Sequence, residues 1–215
     1  MAKQAERREA SREAIVTAAT ELFGRAGFGP TSMDHIAAAS GVAKGSVYYY
    51  FPTKEILFET VLDRASADLA RAVAGVAQRA DDVLDALAKG VEAYFEACSQ
   101  GPRAQIILKD GPVVLGWSRW REIDERHFGQ AIPNALAAAI GAGLIDEQPI
   151  APLSRLLLGA VTEAAVACAA SPEPITAGRR YADALARLLR GLRRDFQEQK
   201  GSVCLPADKL RGERL

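Results

Sequence analysis

The chain has 215 residues, 49% hydrophobic and 25% charged, which suffices for a buried core and argues against intrinsic disorder. Lys plus Arg and Asp plus Glu number 27 each, so zero formal charge excludes any claim on nucleic acid from bulk electrostatics. No uninterrupted apolar run approaches the roughly 18–20 residues of a spanning helix, and the polar opening Met1–Arg8 leads into no signal-peptide core, so the expected address is cytoplasmic, with no membrane partner.

Helical spacing dominates and no alternating strand pattern is evident, which predicts an all-α fold. A first helix reads from a Ser11 N-cap, with Ile15, Ala18, Ala19, Leu22, Phe23 and Ala26 on one face, and stops at Gly27. A short helix follows from about Ser32 to Ala39, broken at Ser40-Gly41. A third runs from about Ala43 to Phe51, and Thr53 caps a long fourth helix reaching toward Ala77. Further on, helices are predicted over Asp81–Ser99 and Trp120–Ala142, the latter with a kink at Pro133; between them lie a short Ile106–Lys109 segment and a stretch broken at Gly111-Pro112 and Gly116. Two more span Leu153–Ala170 and Ala177–Glu198. Residues 200–215 lack periodicity and read as a disordered tail. Cys98, Cys168 and Cys204 are isolated and odd in number, which fits buried small hydrophobes; no disulfide framework, metal site or cofactor is expected.

The second and third helices have the makings of a helix-turn-helix. A sharp corner needs a small residue where the helices cross, and Ala37 supplies it. Four residues later the turn needs a positive φ, which suits Gly41. Ile36, Val42 and Val47 are spaced to plug the corner. Up to Lys54 there are seven basic residues against five acidic ones, so placement rather than surplus carries any DNA argument. With Val47, Tyr50 and Phe51 turned inward, Lys44, Gly45, Ser46, Tyr48 and Tyr49 crowd the outer side of the third helix. Glycine allows close backbone approach, serine reaches a base edge, and tyrosine hydroxyls bond phosphates. Packing of either tyrosine on a neighbouring helix is the alternative. Thr31 and Ser32 open the second helix, where free N–H groups favour phosphate. Lys54 sits at the unfavourable end of the fourth helix dipole, a cost that a phosphate would offset or solvent would absorb.

The stretch Thr31-Ser32-Met33-Asp34-His35-Ile36-Ala37-Ala38-Ala39-Ser40-Gly41-Val42-Ala43-Lys44-Gly45-Ser46-Val47-Tyr48-Tyr49-Tyr50-Phe51-Pro52-Thr53-Lys54-Glu55 strongly resembles the signature of TetR-family regulators. The likeness covers roughly the first 65 residues; beyond them only helix number, order and length agree. It implies phosphate contacts from Thr31, Ser32, Tyr48, Tyr49 and Lys54, and base or groove contacts from Lys44, Gly45 and Ser46. Ala43 stands where Ser is common in that family, which removes one expected phosphate bond. The implied architecture is a DNA-binding head, residues 8–55 with its motif at 33–52, and a helical body, 56–199, for ligand and dimer contacts. The implied partners are double-stranded operator DNA, a second copy met through Leu153–Ala170 and Ala177–Glu198, and a small-molecule effector of unspecified identity. The implied activity is that of a repressor released from a palindromic operator.

Aromatic residues gather mid-chain beside Gly/Pro breaks. Phe95, Cys98, Trp117, Trp120 and His127 are the candidate lining of an effector cavity, with ordinary core packing as the alternative for each. An all-helical enzyme is the weaker rival: only His35 and His127 exist, no HExxH, GxSxG or phosphate-binding glycine loop occurs, and Asp81-Asp82 and Glu122–Glu125 read as solvated faces. A helical adaptor that binds protein through the tyrosine face is the other.

Overall fold

The structure, a computed structural model, describes residues 2–99 and 101–194. Among them run eleven α-helices: α1 (Ala2–Ala26), α2 (Met33–Ser40), α3 (Lys44–Tyr50), α4 (Lys54–Ala77), α5 (Val83–Ser99), α6 (Gly101–Arg103), α7 (Gly111–Leu115), α8 (Trp117–Phe128), α9 (Ala131–Gly141), α10 (Ile150–Ala170) and α11 (Pro174–Gly191). A π-helical segment, Ala104–Asp110, joins α6 to α7, and the described residues contain no strand beyond an isolated bridge between Ile145 and Arg193. The all-α expectation holds. Residues 195–199 of the last expected helix, the expected tail and Cys204 lie outside the described residues.

Helix α1 starts nine residues earlier than Ser11. The segment Ala2–Arg12 is built of Ala, Gln, Glu, Arg and Lys with one Ser, nearly all strong helix formers, so nothing interrupts it. Ser11 is therefore interior, its Oγ donating to the Arg7 carbonyl at 3.0 Å rather than capping. The end is as expected: Gly27 takes φ +84. In α2, Ser32 is the true N-cap, its Oγ accepting from His35 N–H at 3.1 Å, and Gly41 closes the helix at φ +67. Thr53 caps α4 in the same way through Ile56 N–H at 3.2 Å.

The expected helix over Trp120–Ala142 is two helices. Gly129-Gln130 breaks it, and Pro133 falls in the opening turn of α9, where its missing N–H has no intrahelical partner to lose. The break lets α8 pack on α4 while α9 turns back on α5 and α10. Apolar residues of α1–α4 (Ile15, Ala19, Phe23, Ile36, Val47, Leu57, Phe58) close a head core that continues along α4 into a body core around Phe95, Ile106, Trp120, Ile123 and Leu136. Helix α5 is the centre of the body, flanked by α4, α9, α10 and α11. Gly178 lets α11 come close: a Cβ there would lie 2.5 Å from Ser99 Oγ.

Helix α10 is the one apolar helix of spanning length among the described residues. By length and composition it is apolar enough to cross a membrane, although Arg155 and Glu163 interrupt it and stand exposed. Its Leu157, Val161, Ala164, Ala165 and Cys168 are spent on packing within the chain.

Candidate nucleic-acid interface and interior cavity

Helix α3 has one face it must bury and one that no described residue covers. Val47 and Phe51 are sealed in the head core, which fixes the rotation of the helix, and Lys44, Gly45, Ser46, Tyr48 and Tyr49 are then all exposed. Tyr48 keeps 42% and Tyr49 71% of its surface accessible, large values for aromatic side chains. Tyr49 is steadied edge-on by Tyr50, ring centroids 5.3 Å apart. Neither tyrosine is buried against a neighbouring helix. A Cβ built on Gly45 would meet nothing within 4 Å, so the fold itself does not ask for glycine there. Glycine in a helix costs up to about 1 kcal/mol relative to Ala, and nothing in the packing of α3 offsets that.

Lys44 is not idle. Its Nζ lies 2.7 Å from Asp34 Oδ1, both side chains well exposed, and that hydrogen bond raises the lysine pKa. The pair ties the start of α3 to α2, and being solvated it can be shared with an incoming phosphate.

Two candidate residues are placed differently from the sequence reading. Thr31 is buried, and its hydroxyl donates to the Gly27 carbonyl at 2.8 Å, so its side-chain proton is already committed inside the α1–α2 turn. Lys54 Nζ donates to the carbonyls of Phe28 and Thr31, each at 2.9 Å, and sits 4.0 Å above the Phe28 ring. The opposing helix dipole is thus offset by loop carbonyls within the protein, not only by an external phosphate. Ser32 differs: its oxygen caps α2 as an acceptor, which leaves its O–H free to donate.

Sequence reasoning missed Asp110. Its carboxylate accepts the Phe28 N–H at 2.8 Å and the Gln105 amide at 3.0 Å, clipping the body's π-helical segment to the turn that Lys54 also holds. Gly24 permits this docking, since a Cβ there would come within 2.4 Å of the Pro102 side chain.

The body carries a half-open cavity of about 600 Å³ between α4, α5, α8, α9 and α10. His127 lines it, with Nε2 3.0 Å from Asp63 Oδ1. The other four candidates do not. Phe95 and Cys98 are core residues of α5, and burial pushes the Cys98 thiol up to about 12, which keeps it protonated. Trp120 is buried with its indole N–H donating to the Ile107 carbonyl at 2.7 Å, and Trp117 lies against it on the outside. Those large rings fill space, while the cavity walls are mostly small or aliphatic, among them Ala70, Ala74, Val83, Ala86, Leu87 and Ala135, with the rings of Tyr94 and Phe128. Asp124 is the polar lining residue the sequence reading set aside as solvated. It retains 6% of its surface, and burial raises its pKa to about 6.

Residues 84–192, half of the chain, match the family described as tetracyclin repressor-like, C-terminal domain, and residues 15–61 match bacterial regulatory proteins, tetR family. The protein belongs to the TetR family. The head is 43% identical over 53 residues to the transcriptional regulator RutR of Escherichia coli K12, a match covering 25% of each chain, so the likeness reaches only a quarter of that relative. A TetR-family regulator from Pectobacterium atrosepticum superposes with a TM-score of 0.78 at 24% identity, covering 88% of this chain and 97% of that one. RolR, solved with its ligand resorcinol, superposes with a TM-score of 0.68 at 18% identity, covering 94% and 98%. At these identities the structural likenesses speak for a shared TetR fold, with its helix-turn-helix head and helical body, and not for a shared ligand.

Proposed function

We propose that the protein is a cytoplasmic, homodimeric repressor that reads a palindromic operator with its two heads and leaves it when a small molecule enters the body cavity. The observation that carries this is the uncovered α3 ridge: Lys44, Gly45, Ser46, Tyr48 and Tyr49 point outward from a helix whose other face is locked in the core. Gly45 and Ser46 approach the groove floor, Tyr48, Tyr49 and the Ser32 hydroxyl meet phosphates, and Lys44 exchanges part of its bond to Asp34 for the DNA. The head comprises residues 8–55 and the body 56–199.

A second copy fits the outer surface of α10 and α11. Leu156 is 72% and Leu188 62% exposed, with Tyr181 on the same helix face as Leu188, and Gly159 and Ala160 beside Leu156 leave room for close approach. Two heads set about 34–36 Å apart then fall one DNA turn from each other. A cavity ligand acts through α4, whose first residue, Lys54, holds the head and whose last two turns line the cavity; RolR likewise takes a small ligand, resorcinol. A ligand preferring one tilt of α4 shifts the spacing of the heads, and operator and effector weaken each other equally.

The experiment is recovery of genomic fragments bound by the purified protein, followed by affinity against salt. A shared palindrome, affinity falling steeply with salt, and a general loss on Tyr49→Ala are expected. Binding that ignores both salt and Tyr49→Ala would show that the ridge does not read DNA.

A further inference from the structure

The cavity also carries information about its occupant. Its walls hold one carboxylate, Asp124, and neither lysine nor arginine. Gln78, Gln130 and Asn134, at more exposed positions of the lining, are uncharged amides, and the remaining polar lining is Tyr94, Thr162 and His127. A phosphate or carboxylate ligand would find neither lysine nor arginine among the described lining residues to receive it, and would face Asp124.

Asp124 is more than nine-tenths buried, and no side chain or backbone N–H among the described residues donates a hydrogen bond to its carboxylate. The charged neighbours have other partners. On its own helix, Arg121 donates to Thr162 Oγ1 of α10 at 3.1 Å and lies 3.7 Å from Glu125, while His127 is held by Asp63 of α4. From α5, Tyr94 and Cys98 face it as neutral groups whose protons burial retains. Burial holds the carboxyl above its ordinary range against the pull of Arg121 and His127, and the like charge of Glu125 adds to it. A buried carboxylate that accepts no hydrogen bond from the described residues, opening into a largely apolar chamber, is complementary to an ammonium group on an apolar body.

We propose that the cavity takes a predominantly apolar organic amine, whose ammonium group pairs with Asp124. The inference rests on the reading of this cavity as the effector site. Ligand size is consistent, since about 600 Å³ lies within the usual range for pockets that enclose one small molecule.

Three probes with one skeleton test it on the full-length protein: 6-phenylhexylamine, 6-phenylhexan-1-ol and 6-phenylhexanoic acid, each titrated by calorimetry. The amine is expected to bind at least tenfold more tightly than the alcohol, and the acid most weakly. Asp124→Asn should bring the amine down to the alcohol, while Asp124→Glu keeps most of the difference. Affinity for the amine should rise from pH 5 to pH 7 as Asp124 ionises, and that for the alcohol should stay level. Ala135→Trp and Ala74→Trp, which fill the cavity from opposite walls and are checked for an unchanged helical spectrum, should remove all binding. If the alcohol or acid matches the amine and Asp124→Asn changes nothing, while the filling variants still abolish binding, the amine class is wrong and the cavity reading stands. If no probe binds, or binding survives both filling variants, both readings fall.

Discussion

Replacing Lys54 by Met separates two roles that the same residue is offered. As a phosphate ligand alone, it would matter only when DNA is present. In the free protein, however, its Nζ donates to two loop carbonyls at 2.9 Å and stands 4.0 Å above the Phe28 ring. Hydrogen bonds from a charged donor contribute about 1.5–3 kcal/mol each, taken at the low end because the site is partly open to water. The cation over the ring adds about 0.5–1 kcal/mol, and the thioether of Met recovers a similar amount against Phe28. The net expectation for Lys54→Met is a loss of about 2–3 kcal/mol in the free protein, a fall of roughly 4–12 °C in melting temperature for a chain of this size. Denaturant titration without DNA measures it, read beside the change in salt dependence of operator binding. A loss below about 0.5 kcal/mol, with a normal drop in salt slope, would refute the strut and leave the phosphate role alone.

Gly45→Ala should leave the free protein as stable or stabilise it by up to about 1 kcal/mol, because a Cβ there meets nothing, yet weaken operator binding at least tenfold; melting curves and mobility shifts report the two. Leu156→Arg together with Leu188→Glu should convert a dimer to monomers by sedimentation without loss of helical signal, since both side chains are outside the chain's own core. Burial lifts the Asp124 pKa to about 6 from its ordinary 3.8, so the folded state holds the proton more tightly. Its burial therefore costs nothing below about pH 4, and stability is lost as pH rises from there to about 6. Asp124→Asn should abolish that loss and exceed the natural protein by roughly 2–3 kcal/mol at pH 7, followed by melting temperature against pH.

The head was legible in the sequence because its determinants are local. Ser32, Gly41 and Thr53 each satisfy a neighbour a few residues away, and Val47 and Phe51 set the face of α3 through helical spacing alone. The cavity was not, because a void is defined by what several helices fail to fill. Alanines from α4, α5 and α9 look like ordinary core in a sequence, and the conspicuous rings of Phe95 and Trp120 are where volume is consumed. One signal was present: Asp124 lies in the stripe Trp120-Ile123-Asp124-His127 that α8 turns inward, although it belongs to an acidic run that reads as solvated. Asp110 and Lys54 were hidden for a related reason, since their partners are backbone groups of a turn far along the chain, 82 and 23 to 26 residues away.

The carboxylate of Asp110 has a bearing on protein engineering. A head transplanted from a relative onto this body, joined anywhere within α4, would bring its own α1–α2 turn but inherit the acceptor at position 110. Chimeras whose donor turn offers a free amide at the position of Phe28 should seat firmly and transmit effector binding. Those in which a proline occupies that position have no amide to offer, and their heads would rock on the joint and bind operator regardless of what fills the body.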